Sequence, residues 1–188
     1  MKIRTITTLS VFFIASSFSS IGQKRFFTKN STISFYSKTT VQNIEAINKK
    51  ALVVIDLATN KIEFSVLIKG FEFEKALMQE HFNEDYLESD KYPKAIFKGS
   101  FDRQVADLNL SENKTITVNV TGNLILHGVT QTINTVALLQ LKNNAISATS
   151  SFKILLSDYK VKVPNVVGNN ISKEIEIKVN TGALQQLK

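Results

Sequence analysis

The feature that most constrains this chain is a two-residue alternation of apolar and polar side chains. Over residues 62–69, 115–126 and 174–179, every second residue is Ile, Val, Leu, Phe or Gly, and most of the residues between them are polar. Such alternation is typical of antiparallel strands that bury one face and expose the other to water. The pattern therefore predicts about eight strands, because five shorter segments share its character: residues 33–36, 51–56, 95–101, 133–141 and 146–156.

Short turns separate many of these segments. The groups Thr59-Asn60-Lys61, His127-Gly128 and Asn143-Asn144 fall between them, and Asn and Gly tolerate the positive φ angles that tight hairpin turns require. An antiparallel sheet made of successive hairpins loses its exposed edges most simply by closing into a barrel. We therefore expect a single-domain, all-β protein whose eight antiparallel strands form an extended barrel.

One segment, residues 71–90, departs from the alternation. It is rich in Glu, and its apolar side chains recur at helical spacing, which predicts one or two short helices on a long crossover between strands. Pro93 then favours a return to extended chain. The apolar side chains could cap the mouth of the barrel, or they could simply pack a helix against the sheet. The candidate mouth residues are Phe73, Leu77 and Phe82.

The first 22 residues have the organisation of a signal peptide. Lys2 and Arg4 precede an apolar stretch at residues 9–14, and Ser20 and Gly22 provide the small residues that signal peptidase prefers. The apolar stretch is much shorter than the roughly 20 residues that span a bilayer. We expect cleavage after Gly22, which leaves a domain of residues 23–188 in the periplasm or outside the cell.

The composition excludes several kinds of chemistry. The chain has no Cys, which rules out disulfides, thiol catalysis and thiolate metal sites. Its formal charge is +7, but Lys and Arg are scattered, so we predict no nucleic-acid partner. A mild positive charge favours transient contact with an anionic membrane surface, and it serves equally well as a solubility device. A homodimer is also left open.

The inward strand faces predict the contents of the barrel. Large side chains alternate there with small ones such as Gly99, Gly122, Ala148 and Ser150. An eight-stranded barrel either fills its interior with side chains or encloses one small ligand, and the sequence leaves both open. The predicted wall residues are Phe64, Val66, Phe97, Phe101, Val120, Leu124, Phe152 and Ile154.

Two blocks of sequence resemble a known family. Residues 81–97, HFNEDYLESDKYPKAIF, and residues 120–130, VTGNLILHGVT, are similar to two motifs of the YceI-like, polyisoprenoid-binding family, in the same order. The resemblance implies a lipocalin-like barrel that encloses a long isoprenoid chain in an exported bacterial protein. The family often has a His in its first strand, whereas residues 29–35 of this chain, KNSTISF, lack it.

The two His residues are the remaining candidates for polar chemistry. His127 could hydrogen-bond the backbone at a strand corner, contact the polar head of a ligand or act in catalysis, but its neighbours Leu126 and Gly128 supply no nucleophile or acid. His81 and Asp85 could contact a cation, although one His with a few carboxylates is a weak metal signature. We therefore predict no metal, no cofactor and no enzyme activity.

The function predicted from the sequence is enclosure of an isoprenoid-type apolar lipid. The alternatives are a scaffold barrel with a filled core and, less favoured, an enzyme that uses His127.

Overall fold

The computed structural model describes residues 25–103, 114–142, 145–164 and 168–187. The predicted signal peptide, residues 1–22, and the predicted turn at Asn143-Asn144 lie outside the described residues.

The described residues are mostly extended, as the alternation predicts. They form ten strands. In chain order these are β1 (Arg25–Lys38), β2 (Asn43–Asp56), β3 (Lys61–Leu67), β4 (Glu72–Phe73), β5 (Lys94–Phe101), β6 (Thr115–Leu126), β7 (Val129–Lys142), β8 (Ala145–Leu155), β9 (Glu174–Asn180) and β10 (Gln185–Gln186).

Helical turns lie mainly on the crossover between β3 and β5. The helix α1 (Ala76–His81) continues directly into a π-helical turn (Phe82–Tyr86), which confirms the prediction of short helices there. Two 3-10 turns, Ile68–Gly70 and Leu156–Tyr159, follow β3 and β8. Within the described ranges, no helix has both the length and the apolar content needed to cross a lipid bilayer.

Eight of the strands close into an antiparallel barrel. Around its wall they follow the order β1, β2, β3, β5, β6, β7, β8, β9, and β9 pairs with β1 to complete the circle. The short strand β4 adds to β2, and β10 adds to β1. The prediction of an all-β, eight-stranded antiparallel barrel is therefore confirmed, and the lipocalin-like architecture implied by the resemblance is present.

The tight turns fall where Asn and Gly predict them. Asn60, between β2 and β3, has a φ of 57°, and His127 and Gly128, between β6 and β7, have φ values of 50° and 72°. These hairpins define the two ends of the barrel. We call the end with the β2–β3 turn the base, and the end with the β6–β7 turn the mouth.

The base of the barrel is filled with side chains. A cluster of buried residues from most of the strands occupies it, and we call this cluster the floor. Its largest fully buried members, such as Ile55 and Leu139, have no exposed surface. The floor consists of Phe26, Val53, Ile55, Leu57, Ile62, Phe101, Val118, Val120, Ala137, Leu139, Ile146, Ala148 and Leu184. Dense packing at this end therefore leaves any internal space above the floor.

Candidate ligand-binding cavity

A cavity of about 500 Å³ lies between the floor and the mouth. Inward side chains of the barrel strands and of the crossover line it, and most of them are Ile, Val, Leu or Phe. None of the described residues that line it is Asp, Glu, Lys or Arg. Its polar lining residues are Ser37, Gln42, His81, Tyr86, Thr135, Thr149, Ser150 and Asn170. Such an interior selects for apolar contact rather than for charge.

Seven of the eight predicted wall residues line this cavity. They are Phe64, Val66, Phe97, Val120, Leu124, Phe152 and Ile154. Phe101 does not line it. Phe101 points inward from β5 like Phe97, but it lies at the base, where it packs among the buried side chains of the floor. The alternation gives the correct face for Phe101 but does not give its height in the barrel.

A pair of glycines gives Phe97 its place in the wall. Gly99 of β5 and Gly122 of β6 are directly paired across the sheet. The ring of Phe97 lies over both, so a Cβ at Gly99 would lie 2.7 Å from Cε1 of Phe97, and a Cβ at Gly122 would lie 2.5 Å from its Cζ. The ring of Phe64, opposite on β3, meets Phe97 edge-on at 6.3 Å. The small residues in the alternation thus make room for an aromatic wall.

Four phenylalanine rings meet at the mouth. Phe35 of β1 lies 5.4 Å from Phe71, 5.7 Å from Phe73 and 5.3 Å from Phe82, measured between ring centroids. Phe82 also lies 5.0 Å from Phe73. All three predicted mouth residues line the cavity, although Leu77 remains 61 % exposed. The crossover therefore covers the mouth and packs on the barrel at the same time.

Residues of β1 and β9 also line the cavity, although none of them was among the predicted site residues. Their alternation over residues 33–36 and 174–179 contains the necessary signal, because the inward positions of both strands are apolar. The additional apolar lining residues from these strands are Ile33, Phe35, Ile175, Ile177 and Val179.

His127 lies outside the cavity lining, at a junction of three segments. Its Nδ1 is 2.9 Å from the carbonyl oxygen of Tyr159, and its Nε2 is 2.8 Å from Oε2 of Glu88. The ring of Tyr92 meets it edge-on at 4.8 Å. The side chain of His127 is only 11 % exposed, so it links the crossover, the β6–β7 turn and the turn after β8 rather than facing a ligand.

Unusual backbone angles concentrate at this junction. Glu88, His127 and Lys160 have φ values of 43°, 50° and 55°, a region that residues other than Gly rarely adopt. Such conformations persist where surrounding contacts hold them, and the contacts of the two His127 ring nitrogens with Tyr159 and Glu88 supply them. The structural role considered for His127 matches this geometry.

Tyr159 is the most perturbed titratable group near the mouth. Burial, with a smaller contribution from the charge of Asp158, raises the pKa of Tyr159 to about 12. The side chain is 1 % exposed, and its hydroxyl has no hydrogen-bond partner among the described residues. The pKa of Tyr86, which lines the cavity, is also raised, first by burial and then by Asp85. The hydroxyl groups of both tyrosines therefore remain protonated at neutral pH.

The other candidate for polar chemistry is the pair on the crossover. Nδ1 of His81 lies 2.6 Å from Oδ2 of Asp85, and both side chains are half exposed. Among the described residues, no group of three or more His, Asp or Glu side chains is placed to hold a metal ion. The two residues form an exposed pair one helical turn apart.

A sequence profile of the YceI-like domain matches residues 25–183, which is most of the chain. The chain belongs to the YceI-like family. A search of curated protein sequences gives no match.

Solved structures show the same YceI-like fold at low sequence identity. A polyisoprenoid binding domain from Saccharophagus degradans, described as implicated in plant cell wall breakdown, has a TM-score of 0.76 at 16 % identity, covering 88 % of this chain and 99 % of that one. BcnA from Burkholderia cenocepacia has a TM-score of 0.67 at 20 % identity, covering 83 % and 96 %. The YceI protein of Campylobacter jejuni has a TM-score of 0.55 at 18 % identity, covering 100 % and 99 %.

The two YceI-like sequence blocks meet in the structure. Residues 81–97 form the end of the crossover and the start of β5, and residues 120–130 form the mouth half of β6 and the following turn. Phe97 and Leu124 pair across the sheet, and Glu88 contacts His127. The blocks therefore build one continuous part of the molecule, comprising a section of cavity wall and the junction that fastens the crossover to it.

Proposed function

We propose that this protein is an exported binding protein that encloses one isoprenoid-type apolar lipid in its barrel. The observation that carries the proposal is the cavity of about 500 Å³ with no Asp, Glu, Lys or Arg among the described residues that line it. This volume lies within the range of about 300–1,000 Å³ that is usual for small-molecule sites. An isoprenoid chain fits such an interior because it offers apolar surface along its whole length.

Apolar burial alone can supply the affinity. A chain that loses about 500 Å² of apolar surface gains about 12 kcal/mol at ~25 cal/mol per Å². Immobilising the ligand costs about 4 kcal/mol or more, which leaves a dissociation constant of micromolar order. An unfilled cavity of this kind also forfeits packing contacts along its lining, so occupation stabilises the fold.

The isoprenoid class is supported by family membership and by the neighbour from Saccharophagus degradans, which is described as a polyisoprenoid binding domain. A filled scaffold barrel is disfavoured, because the cavity lies above the floor. An enzyme that uses His127 is disfavoured as well, because acceptors in the protein face both of its ring nitrogens. We therefore propose a carrier or storage protein without a catalytic role.

The proposal of export rests on residues 1–22 of the sequence, with their short positive and apolar regions. The intact mass of the protein recovered from outside the cytoplasm of its host should correspond to a chain that begins at Gln23. A mass that retains residues 1–22 would contradict the proposal. Transient contact with anionic membranes and a homodimer stay predictions, which vesicle flotation and sedimentation would test.

Titration with a fluorescent prenyl alcohol tests the binding proposal. Leu124→Asp places a charge in the cavity wall, and Asn123→Asp places the same charge on the exposed outer face of the same strand. We expect saturable binding to the wild type and to Asn123→Asp, and at least tenfold weaker binding to Leu124→Asp.

Val179→Phe provides a variant without a buried charge. Val179 lines the cavity, so the larger ring should occupy part of the ligand's space and weaken binding while the far-ultraviolet circular dichroism stays that of the wild type. Absence of saturable binding to the wild type, or equal binding to all of these variants, would overturn the proposed function.

A further inference from the structure

The hydrogen-bonded ladder between β7 and β8 is incomplete. It runs from Lys142↔Ala145 at the base to Ala137↔Ser150 and stops there. Above this point residues 129–136 of β7 pair with β6, and residues 151–155 of β8 pair with β9, but the two segments do not pair with each other. The wall of the barrel is therefore split over the mouth half of these two strands.

Hydroxyl groups bridge the lower end of the split. Oγ1 of Thr135 lies 3.0 Å from Oγ of Ser150. Ser150 also donates to the carbonyl oxygen of Val136 at 2.8 Å, and Thr135 donates to the carbonyl oxygen of Ser151 at 3.2 Å. Side chains thus replace the backbone ladder here. Nearer the mouth, the turn after β8 approaches β7, where Gln131 donates to the carbonyl oxygen of Asp158 at 2.9 Å.

The cavity and a groove on the outer surface share three lining residues, Thr149, Ser150 and Val179. Thr149 and Ser150 are consecutive strand residues, so their side chains point to opposite faces of the wall, yet both line the cavity. Thr149 is exposed. The same two residues also line the groove of about 420 Å³ on the outside of the barrel. The described residues that line this groove are Thr32, Ser34, Val136, Leu138, Thr149, Ser150, Ser151, Lys178, Val179 and Asn180.

We propose that the split between β7 and β8 is a side opening, through which the polar end of the enclosed lipid reaches the outer groove. This inference rests on the proposed function. The apolar chain occupies the cavity, and its end passes the hydroxyls of Thr135 and Ser150. The half-exposed side chains of Val136 and Leu138 cover the part of the chain next to the polar end.

The groove fits an uncharged, hydrogen-bonding end group such as an alcohol. Among the described residues that line it, Lys178 is the one cation, and its Nζ lies 3.8 Å from Oε1 of Glu176 and 4.3 Å from the ring centroid of Tyr36. The neighbouring carboxylate offsets the ammonium charge, and Glu176 also accepts a hydrogen bond from Ser151. The groove therefore presents hydroxyl groups without a free positive charge that would favour a phosphate.

A reversible disulfide across the split tests this opening. The chain has no native Cys, so Thr135→Cys with Ser150→Cys introduces a single thiol pair whose side chains already point at each other. The matched control is Thr121→Cys with Asn134→Cys, a pair on the outer face of the continuous β6–β7 ladder, where the two side-chain oxygens are 2.7 Å apart. Thiol titration verifies that each pair is oxidised.

The ligands are geranylgeraniol, geranylgeranyl phosphate and phytane, which is a hydrocarbon with no polar end. Affinities come from displacement of a fluorescent prenyl probe. Oxidation of the Thr135/Ser150 variant should weaken geranylgeraniol binding at least tenfold and leave phytane binding unchanged. Reduction should restore the affinity for geranylgeraniol. The control pair should bind equally in both redox states. Geranylgeranyl phosphate should bind more weakly than the alcohol.

A second variant covers the case in which the disulfide does not form. Thr149→Phe fills the outer groove from an exposed position, and Thr117→Phe adds the same ring to an exposed position of β6. Only Thr149→Phe should weaken geranylgeraniol binding. Equal geranylgeraniol binding by the wild type, the oxidised Thr135/Ser150 variant and Thr149→Phe would overturn the side opening. Tighter binding of geranylgeranyl phosphate than of geranylgeraniol would overturn the assignment of an uncharged end group. Failure of the reduced protein and the wild type to bind any prenyl compound would instead refute the proposed function.

Discussion

A side chain at Gly122 would affect both the shape of the cavity and the stability of the fold, because its Cβ would meet the ring of Phe97 and the backbone of β5. In Gly122→Ala the new Cβ would lie 2.5 Å from Cζ of Phe97 and 2.6 Å from both the Cα of Gly99 and the carbonyl oxygen of Lys98. Contacts under 3 Å require atoms to move. The ring can rotate into the cavity, but the two backbone atoms belong to the paired strand and can move only by distorting its ladder.

Overpacking of this kind costs about 1–3 kcal/mol. For a domain of this size, about 2 kcal/mol lowers the melting temperature by about 4–8 °C. The matched control is Thr117→Ala, an exposed position of the same strand, for which we expect a change within about 0.5 kcal/mol. Displacement of the Phe97 ring into the cavity should also weaken binding of a prenyl probe to Gly122→Ala.

A double-mutant cycle with Phe97→Leu separates the ring from the backbone. Leu removes the atoms that meet the new methyl group, so the stability losses of the two substitutions should be less than additive by about 1 kcal/mol. Urea unfolding of the four proteins measures this coupling. Wild-type stability in Gly122→Ala, or strict additivity in the double variant, would refute the role assigned to the glycine pair.

Other predictions concern the junction at the mouth. Because the unfolded chain titrates its tyrosines near pH 10 and Tyr159 has a pKa of about 12, the folded state holds this proton more tightly, and about 2 kcal/mol of stability should be lost as the pH rises from 10 to 12. Tyr159→Phe should lack this loss and, because it removes an unpartnered buried hydroxyl, should gain about 1 kcal/mol at pH 7. An alkaline loss of stability in Tyr159→Phe as large as that of the wild type would contradict this. His127→Ala should destabilise the fold by about 1–3 kcal/mol because it leaves the Tyr159 carbonyl unpartnered. The control His81→Ala, at an exposed pair, should cost less than about 1 kcal/mol. Equal losses of stability in thermal melts of the two variants would contradict the structural role of His127 at the junction.

The strands were predictable because burial on one face determines both the alternation and the pairing. The same reasoning found most of the cavity wall. Phe97 and Phe101 show its limit, because both occupy inward positions of β5 and differ only in what surrounds them. Phe101 is buried by residues from distant parts of the chain, such as Phe26 and Leu184, and no local pattern encodes that meeting.

The mouth and the split wall were harder to predict for the same reason. Phe35 joins the rings of the crossover only because closure of the barrel brings β1 beside it. The ladder between β7 and β8 ends at Ala137 and Ser150 although both strands continue as extended chain towards the mouth. Residue type predicts which face a side chain takes, whereas the twist and separation of neighbouring strands depend on the whole barrel.

The most direct test is to ask whether the protein carries a lipid in its native host. The protein should be purified from that host without detergent, and its mass should be measured intact under native conditions and after extraction with organic solvent. We expect one isoprenoid-type molecule per chain in the wild type, and its loss from Leu124→Asp but not from Asn123→Asp. A wild-type protein with no bound lipid and no uptake of a prenyl probe would contradict the claim that the cavity is a lipid site.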